Sequence, residues 1–306
     1  MELRHLNHFL AVLESGSLGR AAKILGISEP ALSKSIRRLE ELLQVRLLDR
    51  GPRGMTPTVF GESLAVHARL VQSEIGRALG VIGELKGTSR GVVRIGARPS
   101  FGAIVLPGAV ARLRREHPGV RVHVREGRPE NLIREVMYGD LDFAVVTVSE
   151  TPLDESLVQE PLFDSPVTVV ARSGHPLQSG EPVPLAVLRD YPWAVTPRQH
   201  SARQRFEQLV AEHELGPLDI AAESDSVLFL MAYLRQSDAL SFFPRAMIGA
   251  AGDEGSLKVL AVEGMEWSRR LAIVRRRRAG LAPAARMLLD SLHREAGTEA
   301  VSAAIP

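Results

Sequence analysis

Leu18-Gly19-Arg20-Ala21-Ala22-Lys23-Ile24-Leu25-Gly26-Ile27-Ser28-Glu29-Pro30-Ala31-Leu32-Ser33-Lys34-Ser35-Ile36-Arg37-Arg38-Leu39 is the stretch on which the reading of this chain turns. Ser17 is a good N-cap for a short helix over Leu18–Leu25, because its hydroxyl can accept an otherwise unpaired backbone N–H. Gly26 ends that helix, being the residue best able to take a positive φ. Ser28 caps a further helix, and Pro30 falls in its first turn, where a missing N–H does no harm. Leu32, Ile36, Leu39 and Leu43 repeat at three or four residues and form a buried stripe, which leaves Ser33, Lys34 and Arg37 on the opposite, solvent face. Ala21 and Ala22 are small enough for the two helices to approach closely. Two helices joined by a tight Gly-containing turn, the second polar outside, make the helix-turn-helix pattern. A plain three-helix bundle has the same spacing and stays open at this point.

Working outward, Leu3, Leu6, Phe9, Leu10 and Leu13 mark a first helix stopped by Ser15-Gly16-Ser17. On the other side, Val45-Arg46-Leu47-Leu48 reads as a short strand, Asp49 to Met55 as a turn, and Thr56-Pro57-Thr58 as a return strand. A basic hairpin after a polar-faced helix is a wing, able to reach phosphate or a minor groove through Arg50 and Arg53. The alternative is charge in an ordinary surface turn.

One long helical pattern runs from Thr58 to about Lys86, with Thr56 as cap and Pro57 in the first position. Phe60, Leu64, Ala68, Val71, Ile75, Leu79, Ile82 and Leu85 form its apolar seam. At 1.5 Å per residue the rod is roughly 43 Å long, and such a seam needs a partner: its own copy or the rest of its chain. Gly87-Thr88-Ser89-Arg90-Gly91 then reads as a hinge.

Beyond it, strands and helices alternate, which argues a parallel sheet with crossover helices. Strands are expected at Val92–Ile95, Val120–Val124, Phe143–Val146, Val167–Ala171, Trp193–Thr196, Ile220–Ala222, Ala239–Phe242 and Leu271–Val274. Helices are expected near Pro107–Glu116, Glu130–Tyr138, Arg203–Glu212, Val227–Leu234 and Pro283–Glu295, with residues 296–306 frayed. In open α/β sheets ligands sit beyond the carboxyl ends of strands. That rule selects Arg98 to Gly102, Glu126 to Asn131, Thr147-Val148, Thr196 to Ser201 and Phe243-Pro244.

Composition narrows the alternatives. The chain has 306 residues, 45% hydrophobic and 24% charged, so it is globular and divides most naturally into more than one domain. Without cysteine there is no disulfide, iron–sulfur cluster or thiolate zinc site. No secretory signal and no membrane span is readable, so a cytoplasmic location and no membrane partner are expected. Net charge is only +2, but residues 1–57 carry nine Lys/Arg against six Asp/Glu. Dinucleotide, P-loop, nucleophile-elbow and HExxH fingerprints are missing, so neither an enzyme nor a cofactor is expected. His5 and His8 lack a third metal ligand nearby. Asp140 and Asp142 are explained by turn chemistry. Arg275-Arg276-Arg277-Arg278 reads as a solvated strand end.

Phe9-Leu10-Ala11-Val12, Ser15-Gly16-Ser17, Ala21-Ala22, Ser28 to Ser33, Ile36, Leu39-Glu40, Leu47-Leu48-Asp49-Arg50, Thr56 and Gly61 together resemble the amino-terminal motif of LysR-type transcriptional regulators. The resemblance implies an α+β multidomain protein: a winged helix-turn-helix over 1–57, a linker and dimerisation helix with hinge over 58–89, and an effector domain over 90–306. That domain would be a two-lobed α/β type II periplasmic-binding-protein-like unit, lobe I covering about 90–163 and 265–296 and lobe II about 164–264. It implies double-stranded DNA as partner, read by Ser28, Glu29, Pro30, Ser33, Lys34, Arg37, Arg50 and Arg53. Glu29 departs from the glutamine usual there; a carboxylate only accepts, which favours a cytosine amino group and repels phosphate. The resemblance also implies pairing through Phe60, Leu64, Val71, Ile75, Leu79 and Ile82 into a homodimer that assembles to a homotetramer, and RNA polymerase as partner if the protein activates.

The family's effector cleft matches Ser100, Phe101, Thr147, Thr196, His200 and Ser201, beside which stand Arg128 and Phe243. Hydroxyls, helix dipoles and Arg98, Arg128, Arg198 and Arg203 favour a small organic anion, with Phe101 and Phe243 over an apolar body. Two rivals remain. An enzyme would need a convergent acid–base set, and a plain solute-binding module would be supported by an export signal.

Overall fold

The computed structural model describes all residues except 52–53, 86–90, 149–151, 179–181, 251–254, 279 and 304–306, and it leaves the side chains of 84–85, 100, 103, 249–250 and 298–303 undescribed. Residues 87–90 of the hinge expected over Gly87–Gly91, and Arg53, therefore lie outside the described residues.

Three helices, α1 (Leu3–Ser15), α2 (Leu18–Leu25) and α3 (Glu29–Leu43), and a hairpin of β1 (Leu48–Gly51) and β2 (Gly54–Pro57) make the amino-terminal head. The caps are those the residue types dictate. Ser17 accepts from the Arg20 N–H and Ser28 from the Ala31 N–H, while Gly16 and Gly26 take φ of 65° and 67°. Leu6, Phe9, Leu10, Val12, Ala21, Ala22, Leu32, Ile36, Leu39, Leu47 and Leu48 are buried together. Leu3, expected on the stripe, is in the exposed first turn. The hairpin is pressed onto the α1–α2 turn by a Met55 N–H to Gly16 carbonyl bond of 2.9 Å. A Cβ at Gly54 would stand 2.4 Å from the Gly16 carbonyl oxygen, and one at Gly61 2.1 Å from that of Leu47, so only glycine fits either place.

The rod, α4, spans Val59–Leu85. Its cap is Thr58, whose Oγ1 accepts the Gly61 N–H at 3.1 Å. Thr56 and Pro57 instead pair with Asp49 and Leu48 in the hairpin, so they are strand residues and not the cap and first turn. Ala65 and Ala68 are buried against the head. Farther along, Arg69 lies over the Tyr138 ring, and Arg77 donates to the Gly280 carbonyl at 3.1 Å.

The remainder forms two lobes. In the first are β3 (Val92–Ala97), α5 (Pro99–Ile104), α6 (Leu106–Glu116), β4 (Arg121–Glu126), α7 (Pro129–Tyr138) and β5 (Phe143–Thr147). In the second are β7 (Trp193–Val195), α8 (Ser201–Glu212), β8 (Ile220–Glu223), α9 (Val227–Arg235), β9 (Ser241–Pro244), α10 (Arg245–Ala250) and β10 (Leu257–Leu260). Two long strands, β6 (Leu157–Arg172) and β11 (Trp267–Arg276), run between them, and α11 (Pro283–Ala303) returns to the first lobe. Strand order is β10-β6-β11-β5-β3-β4; β3 is parallel to β4 and β5, while β11 is antiparallel to β5 and β6. The amino half of β6 pairs with β11, and its carboxyl end pairs with β9 and β10. One strand thus belongs to both lobes.

Val93, Ile95, Phe101, Leu113, Phe143, Val145, Ile273 and Leu288 centre the first lobe. The second is built on a chain of rings, Trp193, Phe206, Phe242 and Trp267, with successive centroids 4.6, 4.9 and 5.5 Å apart.

Four departures from the sequence reading have physical causes. β6 begins ten residues before Val167, because its first half gets its pairing from β11 although Pro161, Asp164 and Pro166 break the local pattern. α11 continues to Ala303, beyond the end expected at Glu295. α5, α10 and β10 are too short to register as periodicity. The Arg275–Arg278 run is a solvated strand end only at Arg277 and Arg278, which are exposed: Arg275 pairs with Glu160, Arg276 is buried and donates to the Val136 carbonyl, and Arg277 also donates to those of Glu155 and Leu157 at 2.9 and 3.0 Å.

Candidate nucleic-acid interface and interlobe cleft

On α3, Leu32, Ile36 and Leu39 face the head core, while Glu29, Pro30, Lys34 and Arg37 are exposed and Ser33 is half-buried. Ser28 is exposed as the cap. Among the described residues neither Lys34 nor Arg37 is in an ion pair, so both charges face solvent. Arg50 is exposed on β1, opposite Met55. The Glu29 carboxylate has a local role as well: a Cβ at Gly19 would lie 3.0 Å from its Oε2, so it stands over the first turn of α2. Free N–H groups and the helix dipole favour an anion there.

Glu40 is the residue that sequence reasoning left without a role. Its Oε1 accepts the N–H groups of Leu47 and Leu48 at 2.8 and 3.2 Å, fixing the start of the hairpin to α3. An acid eight residues before a strand gives no local signal of this. The His5 and His8 pair is structural, since His8 Nδ1 meets Ser35 Oγ at 2.7 Å between α1 and α3.

The second candidate site lies at the carboxyl ends of the first lobe's strands. Following the order β11-β5-β3-β4, the side chains at that edge are Arg269, Thr147, Arg98 and Arg128. Arg269 is buried, with its Cα paired to Ser165 where β6 and β11 cross toward the second lobe. Burial, and then the like charge of Arg98, pull its pKa down to about 10. Arg98 is depressed for the same first reason, with Glu130 opposing and Arg128 adding to the shift. The Arg98 Nε and the hydroxyls of Thr147 and Thr196 are buried without a hydrogen-bond partner.

In the second lobe, Thr196 follows β7 and His200 is the N-cap residue of α8, with its Nε2 2.6 Å from the Asp225 carboxylate. Ser201 is exposed at the start of α8. Ser100 is in α5, with its side chain outside the described residues.

Two aromatic expectations are corrected. Phe101, on α5, is buried in the first lobe's core, and Phe243, on β9 opposite Thr168, is buried in the second's. Arg198 and Arg203 also leave the anion set: both hold Glu207, at 3.0 and 2.9 Å, and Arg203 also donates to the Thr196 carbonyl. Arg128 is exposed as the residue before α7. Asp142 accepts the Arg94 N–H at 2.8 Å, a bond from the start of β5 to β3 and not the local turn bond expected of it, and burial raises its pKa. Of the expected pairing residues on α4, Leu64 is packed against the head, whereas Phe60, Val71, Ile75, Leu79 and Ile82 are exposed. Among the described residues no helix is long and apolar enough to cross a membrane, and no His/Asp/Glu group could hold a metal.

Residues 3–62 match the family model of a bacterial regulatory helix-turn-helix protein of the lysR family, and residues 86–297 match that of the LysR substrate binding domain. A curated relative, the SDS degradation transcriptional activation protein of a Pseudomonas species, is 35% identical over 288 residues, 93% of both chains. The transcriptional regulator PcaQ of Agrobacterium fabrum is 31% identical over 263 residues, covering 86% of this chain and 85% of that one. Among solved structures, full-length CbnR with its target DNA aligns at a TM-score of 0.68 and 18% identity, over 96% of this chain and 100% of that one. Full-length OxyR from Pseudomonas aeruginosa aligns at 0.70 and 21%, over 97% and 94%. At such identities these structures speak for the fold.

Proposed function

Because this chain belongs to the LysR family of transcriptional regulators, which bind DNA through the head and carry a substrate-binding domain, we propose that it is a cytoplasmic regulator that reads a two-fold operator as a pair and answers to a small organic anion held between its lobes. The carrying observation is the division of α3 into a buried apolar face and a solvent face with Lys34 and Arg37 free of ion pairs among the described residues. Such a helix lies in a major groove with its first turns at the base edges, so Ser28, Glu29, Pro30 and Ser33 are readers and Lys34 and Arg37 positioners. Arg50, with Arg53 three residues on in the sequence, reaches adjacent phosphate or the minor groove.

The units are the head over 1–57, the linker over 58–89 and the effector domain over 90–306. Exposure of Phe60 at 58% and Leu79 at 65%, with Val71, Ile75 and Ile82 beside them, supports pairing of α4 with its copy. Two such pairs make a tetramer on DNA. The anion reading is supported by the basic edge of lobe I, and the ligand's route to transcription is a change in head spacing that either releases the DNA or lets RNA polymerase engage.

The test is a gel shift and footprint on the intergenic DNA beside the protein's own gene. A protected two-fold site, lost in Lys34→Ala/Arg37→Ala and kept when the cleft is mutated, is the expected result. No footprint there overturns the reading. Glu29→Gln is expected to shift base preference at one position of each half-site by about 1 kcal/mol; an unchanged selected operator removes Glu29 from the readers.

A further inference from the structure

Two successive peptide groups lie between α3 and α4, and the same two residues hold both. The peptide joining Arg46 to Leu47 donates its N–H to Glu40 Oε1 at 2.8 Å, and its carbonyl accepts the Thr58 hydroxyl at 2.7 Å. The peptide joining Leu47 to Leu48 donates its N–H to the same Oε1 at 3.2 Å, and its carbonyl accepts the Thr58 N–H at 3.0 Å. Glu40 stands in the last turn of α3, and Thr58 caps α4, its Oγ1 also accepting the Gly61 N–H at 3.1 Å. Gly61 lets the shaft come this close, since any Cβ there would meet the Leu47 carbonyl oxygen. Glu40 is half-buried and, among the described residues, in no ion pair, so its carboxylate serves the hairpin's backbone and not a cation. Hydrogen bonds to an ionised acceptor are the strong ones. A planar peptide does not flex between its N–H and its carbonyl. A displacement of Thr58 is therefore passed to Glu40 across two rigid plates.

We infer that Glu40 and Thr58 are positioning residues for operator recognition: through the two peptides around Leu47 they lock the reading helix to the shaft, so that the shafts dictate the distance and phase between the two reading helices of a pair. This rests on α3 reading a two-fold operator as a pair, and adds what fixes the register of the two readers. Neither residue needs to touch DNA. One base pair more or less between half-sites moves a half-site by about 3.4 Å and turns it by about 34°. A head rigidly joined to its shaft does not follow that change, whereas a head loosened at the bridge swings to meet it. Loosening also costs affinity at the correct spacing, because ordering the head then falls to the DNA. The head stays attached when the bridge is cut, since Ala65 and Ala68 remain in its core and Gln72 Nε2 donates to Asn7 Oδ1 on α1 at 2.8 Å.

The test uses the full-length protein and the duplex protected in the footprint beside its own gene, together with the same duplex carrying one base pair more or one fewer between its half-sites. The wild type is expected to bind the altered duplexes at least about tenfold more weakly than the natural one. Glu40→Ala, which deletes two of the four bonds, is expected to bind the natural duplex about tenfold more weakly than the wild type, and to lose less than about threefold on going to the altered ones. Thr58→Val, which deletes one bond, is expected to fall between. Glu40→Gln keeps an acceptor oxygen and Thr58→Ser keeps the hydroxyl, so both are expected to discriminate spacing as the wild type does. A role in stability alone lowers the urea midpoint and scales all three affinities together, so the spacing ratio separates the two roles. Wild-type spacing ratios in Glu40→Ala, or in Thr58→Val where Glu40→Ala does not fold, overturn the inference whatever the urea midpoints. A wild type that binds all three duplexes alike breaks the two-fold reading itself, and the inference falls with it.

Discussion

The head and the cleft are built by opposite means. The head's proposed reading face comes from ten consecutive residues, Ser28 to Arg37, and one helix period sorts them into buried and exposed. The cleft takes its basic edge from Arg98, Arg128, Thr147 and Arg269, each supplied by a different strand end and brought side by side only by the sheet. In the head, side chains facing solvent are separable from the fold. At the cleft, a residue one position away from the edge is already core.

The largest effect that sharpens this contrast comes from Phe101. Phe101→Ala removes a ring buried in the first lobe's core and is expected to cost about 4 kcal/mol, read as a lower midpoint in urea with DNA binding by the folded fraction retained. Stability within 1 kcal/mol of wild type returns Phe101 to the ligand set. Next comes Gly61→Val, which drives a Cβ into the Leu47 carbonyl and is expected to cost about 3 kcal/mol and loosen the hairpin. An unchanged melt breaks the account of the hairpin as pinned by close backbone approach. Lys34→Ala, by contrast, is expected to leave the melt unchanged and weaken operator binding about tenfold, with the salt slope reduced by about one. Loss of stability with affinity shows that the head's two faces are not separable. The smallest change in stability is expected for Thr147→Val, within about 0.5 kcal/mol, because the hydroxyl it removes has no partner. A large loss shows the hydroxyl to be structural.

The same contrast explains what could be read in the residues. Ser17, Gly26, Ser28 and Pro30 announce helix ends through their own chemistry, and the stripe of α3 repeats within one window, so the head was legible almost to the residue. The cleft's loops were legible through the strand-end rule, but not their occupants. Phe101 and Phe243 read as lining because an aromatic residue just beyond a strand is ambiguous until the packing is known. Arg275–Arg278 stands out as a run, and its first three members bond to Glu160 and to carbonyls. Arg269, separated from that run by strand residues, is buried and feels the charge of Arg98, 171 positions away in the numbering, and no window spans both. β6 escaped for a related reason, since its first half is a strand only because β11 lies beside it.

The attachment of α4 sets the leverage of the molecule. Arg69 over Tyr138, the Gly139 turn against Ser73, and Arg77 on Gly280 clamp the shaft to the first lobe at several points along its length. A shaft of 27 residues measures about 40 Å, so a tilt of about 5° at the clamp swings its far tip by roughly 3.5 Å, the advance of a single base pair. Motions too small to disturb any core are thereby magnified into a step along the duplex.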